Sequence, residues 1–94
     1  MNIRRLVLDV DKALARPSIL DIARALSACP GIEDFNITVT EIDVQTVGMD
    51  VTIEGQNLDY EQIAEAIEDT GAVVHSIDQL ACGLHIIERV ERAR

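Results

Sequence analysis

Val47-Gly48-Met49-Asp50-Val51-Thr52-Ile53-Glu54 alternates apolar and polar residues without a break, the pattern of a strand with one buried and one solvated face. What flanks it decides the fold. Upstream, the β-branched run from Ile32 to Val44 reads as another strand, and only the Gln45-Thr46 region is left for a turn. Two strands therefore follow one another with no helix between them. Outward from this pair the chain divides into two similar halves, Ile3 to about Val44 and Thr46 to about Cys82. Each half opens on a strand, passes through one amphipathic helix and closes on a strand.

In the first half, Leu6, Leu8 and Val10 point one way while Arg5, Val7, Asp9 and Asp11 point the other, so Ile3 to Asp11 reads as a central strand. Lys12 to Pro17 reads as a loop. Ser18 with Asp21 three residues on is a variant capping box, and Ile19, Ile22, Ala23 and Leu26 form the apolar stripe of a helix over about Ser18 to Cys29. Pro30-Gly31 ends it. In the next strand Phe35, Ile37 and Val39 share one parity and Ile42 and Val44 the other. A bulge near Thr40 or Glu41 would restore a single apolar face, or the strand changes partners. In the second half Gly55-Gln56-Asn57 is a turn, and Asp59 with Gln62 caps a helix whose inner stripe is Ile63, Ala66, Ile67 and Thr70. Gly71 stands at its left-handed end. Ala72 to Cys82 is the fourth strand and Gly83 breaks it. Leu84 to Val90 reads as a short fifth strand or a docking tail, and Glu91 to Arg94 as a frayed end.

The order β-α-β-β-α-β is the split βαβ, or ferredoxin-like, pattern. It predicts a two-layer α+β sandwich, an antiparallel sheet in the order 4-1-3-2, and both helices on one side. The expected unit is one domain over 1–94, with its core within about 3–87.

Composition narrows the function classes. Of 94 residues 48% are hydrophobic, but Phe35 and Tyr60 are the only aromatics, so the core is aliphatic and brings less area per residue than rings would. Small domains of this kind often gain stability by oligomerising. The net charge of −9 argues against nucleic acid, where Lys and Arg must neutralise phosphates, and against anionic membrane surfaces. Divalent cations and basic partners are compatible with it. Cys29 and Cys82 form no zinc-spaced cluster and read as buried free thiols in a reducing cytosol. No apolar segment follows Arg4 and Arg5 to make a signal peptide, and no apolar run is long enough to span a bilayer. The expected location is cytoplasmic.

The helix-free face of the sheet gathers the candidate chemistry. Asp9 and Asp11 from strand one and Asp50 and Glu54 from strand three project there, with Ser76 and Asp78 as neighbours from strand four. Such carboxylates could hold a divalent cation, which takes oxygen ligands. The simpler reading is a solvated face, which antiparallel sheets normally show. His75 and Asp78 fall on opposite faces of an ideal strand and form no dyad unless it bends, while His75, in line with Val73 and Ile77, reads as a core or interface residue. Glu41 and Asp43 lie near the end of edge strand two. Edge-to-edge joining of subunits would bring them toward His75, Ser76 or Asp78 of a neighbour; otherwise they deter unwanted pairing by charge. No Gly-rich phosphate loop, copper-binding cysteine pair or stacking aromatics on the central strands are present.

Arg5-Leu6-Val7-Leu8-Asp9-Val10, Glu33-Asp34-Phe35-Asn36-Ile37-Thr38, Glu41-Ile42-Asp43, Leu58-Asp59-Tyr60-Glu61-Gln62-Ile63 and His75-Ser76-Ile77-Asp78 resemble domain-of-unknown-function family 211, a family of small uncharacterised archaeal proteins. The resemblance runs from about Ile3 to Ile87. It implies a ferredoxin-like subunit, cytoplasmic location and assembly into closed rings, and it carries no assigned activity. The chain departs from the family pattern at Asp11-Lys12-Ala13, where Leu-Lys-Pro is usual, and at Ala81-Cys82-Gly83-Leu84, where Ala-Gly-Lys is usual.

The expected function is that of a homo-oligomeric, ring-forming binding or scaffold protein with a divalent cation or small ligand at its acidic positions. The alternatives are an enzyme with an intersubunit site, in which Glu41 or Asp43 orients His75 as acid–base, and a small-molecule sensor.

Overall fold

The computed structural model describes residues 1–93. The elements run β1 (Ile3–Ala13), α1 (Ile19–Ser27), β2 (Ile32–Ile42), β3 (Thr46–Gly55), α2 (Tyr60–Asp69) and β4 (Val73–Cys82). The sheet order is β2-β3-β1-β4, all neighbours antiparallel. This is the ferredoxin-like order expected, read from the other edge.

Alternation along β1 and β3 makes the core. Leu6, Leu8 and Val10 face Ile53, Val51 and Met49 across the β1–β3 ladder, and all of these are fully buried. Ile22 and Leu26 of α1 and Ile63 and Ile67 of α2 close over them from one side. Removing such aliphatic area from water stabilises the fold by about 1.5–3 kcal/mol per side chain.

Local signals set the helix limits. Ser18 and Asp21 form the full reciprocal capping box. Its backbone and hydroxyl bonds with Ser18 hold the Asp21 carboxyl below the usual range. At α2 only one half of that arrangement is made, with the Asp59 carboxylate accepting from the Gln62 N–H. α1 stops at Ser27, short of the expected Cys29, and Ala28 is its C-cap. After α2, Thr70 caps and Gly71 takes φ +104°.

Four expectations need correction. β1 does not stop at Asp11 but continues to Ala13, with Lys12 on the core face opposite Val47. Lys12 is only 8% exposed, and its ammonium donates to the carbonyls of Ala13 and Leu14. Leu84 to Val90 forms no fifth strand. Gly83 at φ +116° turns the chain away from the β4 edge, and the segment is tied to Arg5 through Glu88 instead. Third, the thiols are not both buried. Cys82 is exposed on the edge strand, and Cys29 is half-buried, where desolvation raises its pKa. The last concerns the register of β4, which positions the site below. Of the residues read as a frayed end, Glu91–Ala93 carry no regular structure and Arg94 lies outside the described residues.

Candidate functional site

Three bulges shape the helix-free face. In β2 the register to β3 slips between Val39 and Glu41, so Thr40 is the extra residue. This is the bulge the change of apolar parity predicts. It leaves Glu41 opposite Gly48, on the free face, while the Thr40 hydroxyl donates to the Gly48 carbonyl at 3.3 Å. In β4 the register to β1 skips His75 and then Asp78. An ideal strand would put these two residues on opposite faces. The bulges bring both to the helix-free side, where they line one concavity with Asp9, Asp11, Glu41 and Asp50.

This concavity has a volume of about 350 Å³. Asp9 stands directly opposite Asp50 in the β1–β3 ladder and opposite Ser76 in the β1–β4 ladder. A like-charged pair directly opposed across two strands is unfavourable. Asp11 sits opposite Gly48, whose missing side chain leaves the floor open. The Nε2 of His75 lies 2.6 Å from Asp11 Oδ2, a full ion pair whenever the imidazole is protonated. His75 is therefore neither a core residue nor remote from the acids, and among the described residues it is the one basic side chain lining the concavity. Lys12, the chain's single lysine, is buried on the other side of the sheet.

The remaining predicted residues fall outside. Ser76 donates to Asp78 Oδ1 at 2.7 Å and fixes that carboxylate. Asp43 sits in the β2–β3 turn, its carboxylate accepting from the Val44 N–H at 2.7 Å. Glu54 belongs to a separate network lower on the same face. Arg5 reaches Glu54, Gln79 and Glu88 there, with bonds of 2.7–3.1 Å. Hydrogen bonding to Glu88 and then Glu54 holds the Arg5 guanidinium more firmly protonated than usual, and the same bond keeps the Glu88 carboxyl below the usual range. The intersubunit meeting of Glu41 with His75 is not needed, because one chain brings both to one cavity. Among the described residues, no three His, Cys, Asp or Glu side chains are grouped to hold a metal ion directly.

Thr40, Thr46 and Gly48 also line the concavity and carry no motif that marks them in the sequence. Thr40 alone had a signal, the parity change that places the bulge.

The strings that span this sheet match a known family over nearly the whole chain. The model of DUF211, described as "Uncharacterized ArCR", covers residues 4–94. The chain belongs to the DUF211 family. It is 49% identical over 89 residues to "Uncharacterized protein MJ0319" of the archaeon Methanocaldococcus jannaschii, covering 95% of this chain and 91% of that protein. No activity is assigned by either description, so DUF211 membership supplies the relationship and the site must supply the chemistry. Among the described residues, no helix is long and apolar enough to cross a membrane.

Proposed function

We propose that this protein is a cytoplasmic, self-assembling binding module that takes a small, positively charged ligand in the acid-walled concavity of its helix-free face. The observation that carries this reading is the direct opposition of Asp9 and Asp50, with Asp11, Glu41 and Asp78 around the same cavity and, among the described residues, only His75 to offset them. A cation relieves that opposition. The volume favours a ligand larger than a bare ion. One water occupies about 30 Å³, and small-molecule sites begin near 300 Å³. With no three acidic or histidine ligands grouped among the described residues, a divalent cation would bind through its water shell. A linear diamine could instead span two of the carboxylates.

Assembly is supported by two unpaired sheet edges, β2 and β4, which are surfaces open to pairing with another chain. Exposed aliphatic residues accompany them, including Ile42, Val44, Val73 and Ile77. Identical subunits joined head to tail close into a ring when the rotation permits.

The test is calorimetric titration with magnesium, calcium and a linear diamine, alongside native mass spectrometry before and after chelation. Saturable binding that disappears in Asp50→Asn supports the reading. No heat with any of the three sinks the cation site, and a monomer in native spectra sinks the assembly.

A second reading is favoured by one contact, the 2.6 Å approach of His75 to Asp11. In it His75 acts as acid–base within one chain, with Asp11 in the orienting role assigned earlier to Glu41 or Asp43. Retention of binding in His75→Gln, with any discovered turnover unchanged, removes it.

A further inference from the structure

The segment after Gly83 carries two rows of side chains at a spacing of three. Leu84, Ile87, Val90 and Ala93 form one row, and Ile86, Arg89 and Arg92 another. In an extended chain near three residues per turn, each row lies along one side. Leu84, Ile87 and Val90 are 82%, 86% and 82% exposed, so the apolar row covers nothing in its own subunit. Arg89 and Arg92 make no salt bridge among the described residues, whereas Glu88 between them and the apolar row is held by Arg5 at 2.7 Å. The arm is pinned through Glu88, with Leu84, Ile87, Val90, Arg89 and Arg92 exposed and Ile86 half-buried.

A matching patch lies at the other end of the sheet. Ile42 and Val44, at the β2–β3 turn, are 70% and 83% exposed. Glu41 and Asp43 alternate with them along the chain. Apolar side chains flanked by acids therefore stand at one end, and apolar side chains flanked by arginines at the other.

The arm cannot reach the patch of its own chain. Arg5, which holds Glu88, pairs with Glu54, and the turn begins beyond Ala13 and Thr46, eight ladder positions away. That is roughly 26 Å at strand spacing. Val90, two residues past Glu88, can advance at most about 7 Å along an extended chain.

We infer that residues 84–93 are a docking arm, and that its occupied surface is the Glu41–Val44 patch of a second copy of this chain. The inference rests on the self-assembly proposed above and names the surfaces that make it. Arm and patch lie at opposite ends of the subunit, so the contact is head-to-tail. Each copy keeps a free arm and a free patch for the next, which is the geometry that propagates into a ring or a filament.

The experiment is sedimentation analysis of the full chain, of Ile87→Asp and of Val44→Asp, alone and mixed. Both positions are more than 80% exposed, and circular dichroism with thermal melting verifies folding. Ile87→Ser and Val44→Ser serve as a second pair. Each charged variant should weaken self-association by about tenfold or more, the loss expected of a buried anchor. Mixing the two variants should restore a one-to-one pair and nothing larger, because one intact arm then meets one intact patch. Unchanged assembly in both variants, or no pair on mixing, overturns the arm while leaving self-assembly standing. A full chain that stays monomeric at high micromolar concentration overturns both.

Discussion

The helix-free face holds two groups of carboxylates treated in opposite ways. Near Arg5, Glu54 and Glu88 share one guanidinium, and Gln79 takes a further bond from it. Four to six residues along the same strands, Asp9, Asp11 and Asp50 crowd one concavity with His75 as the sole basic neighbour among the described residues. The sheet, the face and the solvent are the same. The lower group is satisfied from within the chain, and the upper group has only His75 to offset it among the described residues. A solvated face needs no such opposition of charges, so the contrast argues for a site where the acids are unbalanced and for structure where they are balanced.

The two ends of β3 test this division through glycine, with the largest effect at the closed end. A Cβ on Gly55 would stand within 1.9 Å of the Gly31 carbonyl oxygen, and Gly31 itself holds φ +86°. Backbone would have to move. Gly55→Ala should cost about 3 kcal/mol, the upper range for overpacking, and lower Tm by more than about 10 °C. At Gly48, beneath the concavity, a Cβ would meet Asp11 Oδ1 at 3.5 Å and Glu41 Cβ at 3.6 Å, ordinary contacts. Gly48→Ala should leave stability unchanged or raise it by up to about 1 kcal/mol while weakening ligand binding. Thermal melts of both variants check the pair. A large loss at Gly48 would mean that the concavity floor is structural.

Removing the internal cation should make the lower group resemble the upper one. Arg5→Leu strands Glu54 and Glu88 without their partner and should cost about 1 kcal/mol, since both carboxylates keep contact with water and salt screens them. Chemical denaturation at low and high salt measures it. Asp50→Asn should have the opposite sign. It removes the like-charged opposition to Asp9 and should raise stability by about 0.5 kcal/mol at low ionic strength, with the gain shrinking as salt rises. An equal loss in both variants would break the comparison.

The sequence carries the layers and the strand order because they follow from periodicity. The alternation of Val47 to Glu54 and of Leu6 to Val10 specifies which face is buried, and the caps at Ser18 and Asp59 specify where helices begin. The same reasoning places Asp9, Asp11 and Asp50 on one face and offers a bulge near Thr40 or Glu41, or a change of partners, since an apolar parity change has to be absorbed somewhere; the β2–β3 register puts it at Thr40. It fails at β4. The run Val73 to Ile77 alternates too weakly to reveal that His75 and Asp78 are both skipped by the β1 register. An edge strand has only one neighbour to enforce register, so irregularity there leaves little trace in composition. Lys12 stands in β1 and not in the expected loop for a related reason. A lysine reads as solvated, yet its stem follows Val10 along the core face while its ammonium finds the Ala13 and Leu14 carbonyls.

The smallest effect separates the two groups by pH. Glu88 is held below the usual carboxylate range chiefly by its hydrogen bond from Arg5. Its folded pKa is therefore lower than its unfolded value, so the contact contributes fully above the unfolded value and is lost as pH falls through the folded one. Neutral solution sees the arm tied down, and acid below the ordinary glutamate range, near 4.3, releases it. Carboxyl NMR titration should show Glu88 titrating below a reference glutamate in the wild type, with that depression gone in Arg5→Leu. The amide signals of residues 84–93 should move with the same midpoint. Among the described residues no ion pair joins Arg5 to the concavity, so cation binding there should be unchanged in Arg5→Leu. If cation binding in the concavity changes with loss of Arg5, the face is one electrostatic unit, and the separation between an internally balanced group and an open one disappears.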